Sequence, residues 1–336
     1  MDWEKLCLRV SAAAIAVAIF LRLSSGGALG AVVNFLTRPE TVAVMLYLET
    51  GRVVRPGKPQ TIIDSAEREP TQIQEETPQS TSQELFQPVV FDKEDAALVE
   101  VNSVCGYDAD LPAFLQKPLA WDLTGQEPTV LILHTHGTES YEKTEDYTET
   151  SAYRTLDTDY NVVSIGTELK KCLESGGIRV IHDTTMHDHP SYSSSYSHAR
   201  TKIRSVLEEN PSIALVLDIH RDSVENSSGQ QMRFTVDNAG KTAAQLMMVV
   251  GTDANGLEHP NWRENMALAV KLHVQLEKNT PGICRSISFR SQRFNQDLSP
   301  GALIVEVGSA GNTHQEALEA ARLLARAIKE LSQGTK

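Results

Sequence analysis

Three short segments of this chain place histidines and carboxylates at or beside apolar runs. His136 follows the run VLIL, His220 follows LVLDI, and Glu306 lies within ALIVEV. Two histidines and one carboxylate can hold zinc and leave a fourth position open for water. A further carboxylate can take a proton from that water and pass it to a leaving amine. These residue types therefore predict a zinc hydrolase with His136 and His220 as ligands and Glu306 as the catalytic base.

The third ligand has two candidates. His136 and Glu139 have the H-x-x-E spacing of zinc carboxypeptidases, in which the glutamate reaches the same ion as the first histidine. The alternative is Asp157 or Asp159, just before a predicted helix. We favour Glu139 and keep Asp157 as the alternative. His134 is the alternative to His136, because alternate residues of a strand point to the same side.

Several neighbouring residues are predicted to support this site. Arg221, directly after the second histidine, is expected to bind a substrate carboxylate with two hydrogen bonds, the alternative being a surface ion pair with Asp222. Asn295 and Asp297 precede the strand that carries the predicted base, and they are expected either to contact substrate or to shape a turn. Asp218 is expected either to orient a metal ligand or to cap the loop.

A histidine-rich loop follows the second predicted strand. It reads HDTTMHDH and contains His182, His187 and His189. We interpret it as a solvated loop or a weak adventitious metal site outside the zinc centre.

Composition and cysteine spacing argue against two other classes of site. The net charge is -13, whereas a nucleic-acid binder would normally show a basic face, so nucleic acid is not an expected partner. The four cysteines are far apart and form no C-x-x-C pair (Cys7, Cys105, Cys172 and Cys284). This spacing predicts neither a cysteine-based zinc site nor a disulfide framework.

Apolar strands alternate with helices around the candidate residues. Strands are predicted at 129–133, 178–181, 213–219 and 302–307, and helices at 161–173, 198–209, 262–277 and 313–331. Residues 232–236 and 245–250 are predicted to form a hairpin. The alternation predicts an α/β domain with a mostly parallel twisted sheet and helices on both faces. In such sheets, sites form beyond the carboxyl ends of the strands, where the candidate residues stand.

The first 85 residues have a different character. Residues 10–21 form the apolar run VSAAAIAVAIFL, and extension to Leu36 gives a length that can cross a bilayer. The segment is either an uncleaved anchor, which we favour, or a signal peptide cleaved near Ala28. Residues 56–82 are rich in Pro, Gln, Glu, Thr and Ser, which predicts a disordered spacer. The expected organisation is an anchor or signal segment over 1–40, a membrane-proximal segment and linker over 41–85, and a catalytic domain over 86–336.

Five longer motifs resemble one known family. VLILHTHGTESY, DYNVVSIGTELKKCLESGGI, LVLDIHRDS, VVGTDANGLEHPNW and FNQDLSPGALIVEVGSAGNT stand in the order seen in the stage II sporulation protein P family of spore-forming bacteria. The last motif is also similar to the closing motif of single-zinc N-acetylmuramoyl-L-alanine amidases, whose strand-borne glutamate corresponds to Glu306. The first and second histidines of those amidases match His136 and His220. They take a glutamate ligand from just before the first helix, where this sequence has Asp157 and Asp159.

The resemblance implies a function and a place of action. It implies a zinc-dependent peptidoglycan hydrolase of zinc amidase type, with a phosphorylase/hydrolase-like fold. The enzyme would cleave the N-acetylmuramoyl-L-alanine bond and peptide cross-links during septal wall thinning and engulfment. It would be anchored in the cell membrane with its catalytic domain outside the cytoplasm, and stage II sporulation proteins D and M would be its partners. The alternatives are a zinc carboxypeptidase-like enzyme acting on wall peptides and a catalytically silent wall-binding scaffold.

Overall fold

The computed structural model describes residues 88–119 and 121–335. The predicted anchor or signal segment and the predicted spacer lie outside the described residues. Within the described part of the chain, no helix combines the length and the apolar character needed to cross a membrane.

A seven-stranded sheet forms the centre of the described residues. The strands in chain order are β1 (Val101–Ser103), β2 (Val130–Leu133), β3 (Val180–His182), β4 (Leu215–Asp222), β5 (Thr235–Asn238), β6 (Lys241–Ala244), β7 (Leu246–Val250), β8 (Ile287–Phe289) and β9 (Ala302–Ser309). The sheet order is β1-β8-β7-β9-β4-β2-β3, and β5 and β6 pair separately as a hairpin. Every neighbouring pair in the large sheet is parallel except β7 and β9. The predicted mostly parallel sheet is confirmed.

Five α-helices accompany the sheet. They are α1 (Leu111–Gln116), α2 (Val162–Glu174), α3 (Ser195–Glu209), α4 (Trp262–Asn279) and α5 (His314–Leu331). Short 3-10 helices occur at Lys93–Leu98, Tyr192–Ser194 and Gln296–Leu298. Thr313 and Glu316 form the capping box that begins α5, which satisfies backbone N–H groups left open at the helix start.

Strand alternation sends side chains into cores on the two faces of the sheet. Val130 and Ile132 join the larger hydrophobic cluster, which includes the buried faces of α2, α4 and α5. Leu131 and Leu133 join a smaller cluster with α3 on the opposite face. The predicted arrangement of helices on both faces is therefore confirmed.

The predicted hairpin between residues 232–236 and 245–250 is wrong. The observed hairpin joins β5 to β6 through Ala239 and Gly240, both of which have positive φ. Two successive residues with positive φ form the tight turn of a two-residue hairpin loop, and Gly240 adopts such an angle without strain. Leu246–Val250 is instead a strand of the large sheet, between β8 and β9. The sequence patterns also missed β1, β8 and α1, which have three to six residues each and are too short to show a clear period.

The register of the sheet brings the candidate residues to one edge. Leu133, the last residue of β2, pairs with Asp218 of β4, and His220 pairs with Glu306 of β9. Partners in register on parallel strands point to the same side. Ile219 joins the larger core, so its neighbour His220 faces the α3 side of the sheet, as does Glu306.

Candidate active site

A cavity of about 440 Å³ opens at the carboxyl ends of β2, β4 and β9. His136, Glu139, His220 and Glu306 all line it. The remaining wall is aromatic and charged, with contributions from Tyr153, Arg154, Tyr192, Tyr196, Arg221, Asp222 and Glu225. The structure thus brings together the four residues from which the sequence predicted a hydrolytic centre.

The two predicted histidine ligands face each other across this cavity. Their ring centroids lie 5.2 Å apart and the rings are perpendicular. His136 stacks on Tyr192 at 4.5 Å, and none of the described residues offers its buried Nδ1 a hydrogen-bond partner. Burial lowers the pKa of His136 to about 4, so the ring is neutral, which is the form that binds metal.

His220 lies between two carboxylates. Its Nδ1 is 3.5 Å from Oε2 of Glu139, and its Nε2 is 2.9 Å from Oδ1 of Asp218. Asp218 is itself held by the backbone N–H and the hydroxyl of Thr135. Burial alone would lower the pKa of His220, but Asp218 and Glu139 together raise it well above its ordinary value. Asp218 therefore lies where it can orient the His220 ring, as the sequence predicted.

Glu139 is held as a buried carboxylate by cationic neighbours. Its Oε2 accepts from the backbone N–H of Arg221 at 3.2 Å, and its Oε1 lies 3.4 Å from Nη2 of Arg154. Burial would raise the pKa of Glu139, but Arg221 and the two site histidines lower it to about 2. The side chain is therefore ionised, as a metal ligand must be.

Two of the three proposed ligands have the spacing of zinc ligands. Ligand atoms that share a tetrahedral zinc with bonds of about 2.0–2.1 Å lie about 3.3 Å from each other. The 3.5 Å separation between Oε2 of Glu139 and Nδ1 of His220 matches that spacing. The ligand atoms of His136, Glu139 and His220 do not all lie within 4.8 Å of one another in the described structure, so the His136 ring would have to approach the other two for all three to bind one ion. Asp157, the alternative third ligand, is exposed elsewhere, where its carboxylate accepts the backbone N–H of Asp159. The geometry therefore favours Glu139.

Glu306 is a carboxylic acid without a partner at the wall of the cavity. Its Oε2 is shielded from solvent and makes no hydrogen bond within the described residues. Burial raises the pKa of Glu306 to about 8, and Glu139 and Asp222 also raise it against the opposing effect of His220. A group of this kind can take up and release a proton near neutral pH.

Arg221 uses its guanidinium within the protein. Nε donates to the carbonyl of Ser140 at 2.8 Å, and Nη2 donates to the carbonyl of Tyr153 at 2.7 Å. The expected alternative, an ion pair with Asp222, does not form, because Asp222 pairs with Arg285 at 2.8 Å. Arg221 therefore fixes the backbone around Glu139, and two of its donors are already used before any substrate binds.

Asn295 and Asp297 do not line the cavity, contrary to the expectation that they contact substrate. The side-chain N–H of Asn295 donates to the carbonyl of Tyr196 at 2.8 Å. Asp297 accepts two hydrogen bonds from Arg200 of α3, at 2.8 and 2.7 Å. The structure therefore supports the other sequence interpretation, in which these residues shape the loop before β9, here by fixing it against α3.

Several cavity residues were not predicted from the sequence, among them Arg154, Tyr192 and Tyr196. Arg154 donates to Asp188 at 2.8 Å, reaches Glu139, and places its Cζ 4.9 Å from the ring centroid of Tyr192. It lies in a long loop far from any strand end, so the strand-end rule does not reach it. Tyr192 and Tyr196 stand in the polar run SYSSSYS, which has no apolar period. The aromatic spacing in that run was the one available signal.

A second pair of histidines lies beside the site on the α2 side. Nδ1 of His134 is 3.0 Å from the carbonyl of Ile219, and its Nε2 is 2.8 Å from Nε2 of His182. A carbonyl can only accept, so we assign the proton of His134 to Nδ1, and His182 donates to His134. His134 thus supports β4 next to His220 and does not replace His136. His182 is partly buried and contacts His134, so it is not part of a fully solvated loop as one of the sequence interpretations had it.

We expect Gly166→Ala to destabilise the protein by about 1–3 kcal/mol. A Cβ at Gly166 in α2 would lie 2.6 Å from Nε2 of His134 and 2.7 Å from Nε2 of His182. At a helix position without close neighbours, Gly→Ala raises the free energy of unfolding by about 1 kcal/mol. A decrease would therefore indicate the contact of the added Cβ with His134 and His182. Urea unfolding of Gly125→Ala is the control, because its nearest neighbour would be 3.8 Å away. A more stable Gly166→Ala protein would contradict the expectation.

A family model and a curated relative each match more than half of this chain. The model of stage II sporulation protein P (SpoIIP) matches residues 47–329. Stage II sporulation protein P of Bacillus subtilis (strain 168) is 30% identical over 227 residues, which cover 64% of this chain and 54% of that protein. The chain therefore spans about half the length of the curated relative that it matches.

Solved amidase structures show a more distant likeness. The CwlD amidase of Clostridioides difficile, solved in complex with the GerS lipoprotein, has a TM-score of 0.40 and 15% identity, covering 61% of this chain and 98% of that one. The N-acetylmuramoyl-L-alanine amidase AmiC2 of Nostoc punctiforme has a TM-score of 0.36 and 15% identity, with coverages of 62% and 97%. These scores are low, so the chemistry is inferred from the residues of the cavity.

Proposed function

The chain belongs to the stage II sporulation protein P family, and we propose that it is a zinc-dependent hydrolase of peptidoglycan. We propose that it cleaves the N-acetylmuramoyl-L-alanine amide bond and the peptide cross-links. The observation that carries this proposal is the meeting of His136, Glu139, His220 and Glu306 in one cavity. Two imidazoles and an ionised carboxylate are the residue types of a zinc site, and the fourth residue is an acid with an unpartnered oxygen. Because Asp218 and Glu139 raise the pKa of His220, zinc would have to displace a proton from that ring as it binds.

In this proposal His136, Glu139 and His220 hold the zinc. Zinc bound there supplies a Lewis acid that polarises the scissile amide and acidifies water. Glu306, with its free Oε2, takes the proton of the attacking water and gives it to the departing nitrogen. Its burial suits this exchange because a carboxyl group of raised pKa can both accept and return a proton near neutrality.

The surrounding residues position these groups. Asp218 lies within ion-pair distance of the His220 ring, although the geometry there does not make a hydrogen bond. Arg221 and Arg154 hold the carboxylate of Glu139. Tyr192, which is 57% exposed, stacks on His136 at the mouth of the cavity and offers a flat surface for substrate. An aromatic face beside a hydrolytic centre suits a substrate that joins a sugar ring to a peptide.

We further propose where the enzyme works. The apolar segment within residues 1–40 would anchor it in the cell membrane, and the spacer would let the catalytic domain reach the wall outside the cytoplasm, in the septal space. Membership of the family supports a role in wall thinning and engulfment during sporulation, with stage II sporulation proteins D and M as partners.

The test is digestion of purified peptidoglycan by the full-length protein, with released fragments identified by mass spectrometry. We expect stem peptides freed from muramic acid by the zinc-loaded protein, loss of release after chelation, and recovery when zinc is restored. His136→Ala should reduce zinc retention and abolish release, because it removes one of the proposed ligands.

Other products would identify the alternatives. Release of single amino acids would indicate a carboxypeptidase-like enzyme and overturn the amidase assignment. Binding to the wall without any zinc-dependent release, with the partner proteins present, would identify a silent scaffold.

A further inference from the structure

A second cluster of metal-ligand side chains lies away from the cavity. His273 and Glu277 are on α4, and Cys284 lies in the segment before β8. One ligand atom from each of the three residues lies within 4.8 Å of the other two. We propose that His273, Glu277 and Cys284 form a second transition-metal site, of a kind suited to zinc.

The buried imidazole of His273 lacks a partner that a metal ion could supply. The residue is 3% exposed, and its Nδ1 is buried with no hydrogen-bond partner within the described residues. Leaving such a group unpaired costs free energy, so buried polar atoms nearly always have a partner.

The other two residues complete a donor set that zinc accepts. His273 and Glu277 are four residues apart, so both lie on the same side of α4. Glu277 is fixed by the backbone N–H groups of Gly282 and Cys284, at 2.8 and 2.7 Å, and its oxygens keep lone pairs for a metal. Imidazole nitrogen, carboxylate oxygen and thiolate sulfur are the three ligand classes of protein zinc sites.

The thiol of Cys284 lies beside the other two proposed donors. Its Sγ donates a hydrogen bond to the backbone carbonyl of His273 at 3.9 Å, and its backbone N–H donates to Glu277. A bound metal would take the sulfur as thiolate, and the thiol proton would leave to solvent as the metal binds.

A metal bound by Cys284 would also fix the position of the segment before β8, which contacts the cavity wall. Arg285 follows Cys284 directly, pairs with Asp222 of the cavity wall at 2.8 Å, and places its Cζ 4.0 Å from the ring centroid of Phe234. Cys284 also bridges to Leu246 at the start of β7. A metal there would be structural, tying α4 to the start of β8 independently of the hydrolytic reaction.

Cobalt binding separates this site from the proposed catalytic centre. The catalytic set contains only nitrogen and oxygen donors, so a sulfur-to-cobalt charge-transfer band in the near ultraviolet must come from a cysteine. We would titrate the metal-free, reduced, full-length protein with Co²⁺. We expect the wild type to show this band, saturating at about one Co²⁺ per chain. We expect the same band with His136→Ala, because the second site does not depend on the proposed catalytic centre.

Matched variants assign the band. Cys284→Ser, which changes one atom, should abolish it, and Cys172→Ser, another half-buried cysteine, should leave it unchanged. His273→Gln keeps the thiol and should weaken cobalt binding at least about tenfold, which tests the site even if one variant folds poorly. Absence of the band from the wild type, or its persistence in Cys284→Ser, overturns the proposal.

Discussion

Replacement of Glu306 by Gln is expected to lower the rate of peptidoglycan cleavage by about 10²–10⁴-fold. The amide keeps the size of the side chain but can no longer accept the proton of water. Glu306 is outside the proposed ligand set, so the zinc content should remain that of the wild type. Because the amide is as large and as polar as the partly buried acid it replaces, the free energy of unfolding should change little.

Glu225→Gln is the matched control for this change. Glu225 lines the same cavity but is exposed, and its carboxylate accepts from the side chain of Gln231. Initial rates and metal content of the two variants should be compared on the same peptidoglycan. If Glu306→Gln cleaved as fast as Glu225→Gln, the general base would have to be another group.

Replacement of Arg221 by Ala is expected to reduce the free energy of unfolding by about 3–5 kcal/mol. The guanidinium is almost fully buried, and it donates to two backbone carbonyls, those of Ser140 and Tyr153. Without it those acceptors lose their donors, and the buried carboxylate of Glu139 loses its main cationic neighbour. Urea unfolding of the metal-free protein measures the effect without a contribution from bound zinc.

Two further variants distinguish positioning from substrate binding. Arg326→Ala removes an exposed arginine that pairs with Glu330, and it should change stability by less than about 1 kcal/mol. Arg221→Lys should recover little, because an ammonium group lacks the fork that reaches two carbonyls at once. A stable Arg221→Ala protein with weakened substrate binding would instead restore the view that this arginine binds a substrate carboxylate.

The central strands and three of the site residues were predictable because each follows from local pattern. Short apolar runs mark buried parallel strands, and the topology rule then brings the residues at their ends, His136 and His220, to one edge. Glu306 was predictable because a lone carboxylate within a buried run is costly.

The remaining features depend on contacts between segments distant in sequence. Arg154 is part of the site only because Glu139 and Asp188 meet it in space. Asn295 and Asp297 precede the strand that carries Glu306, but their side chains accept hydrogen bonds from Arg200 of α3 and do not face the cavity. Cys284 has no neighbour in sequence that suggests metal, and its partners come from a helix turn several residues earlier. Spacing along the chain does not reveal such pairings.

In the seven-stranded sheet, the antiparallel pair of β7 and β9 separates two blocks of strands that run in opposite directions. The block β9-β4-β2-β3, with the loops at its carboxyl ends, carries the four residues proposed for catalysis. The block β1-β8-β7 begins at the same edge, since Leu246 at the start of β7 pairs with Val307 near the end of β9. The segment that enters β8 reaches the cavity wall through the ion pair between Arg285 and Asp222, although none of the residues that line the cavity comes from the β1-β8-β7 block. Substitutions in that segment are therefore expected to alter the shape of the cavity wall while leaving the four proposed catalytic residues in place.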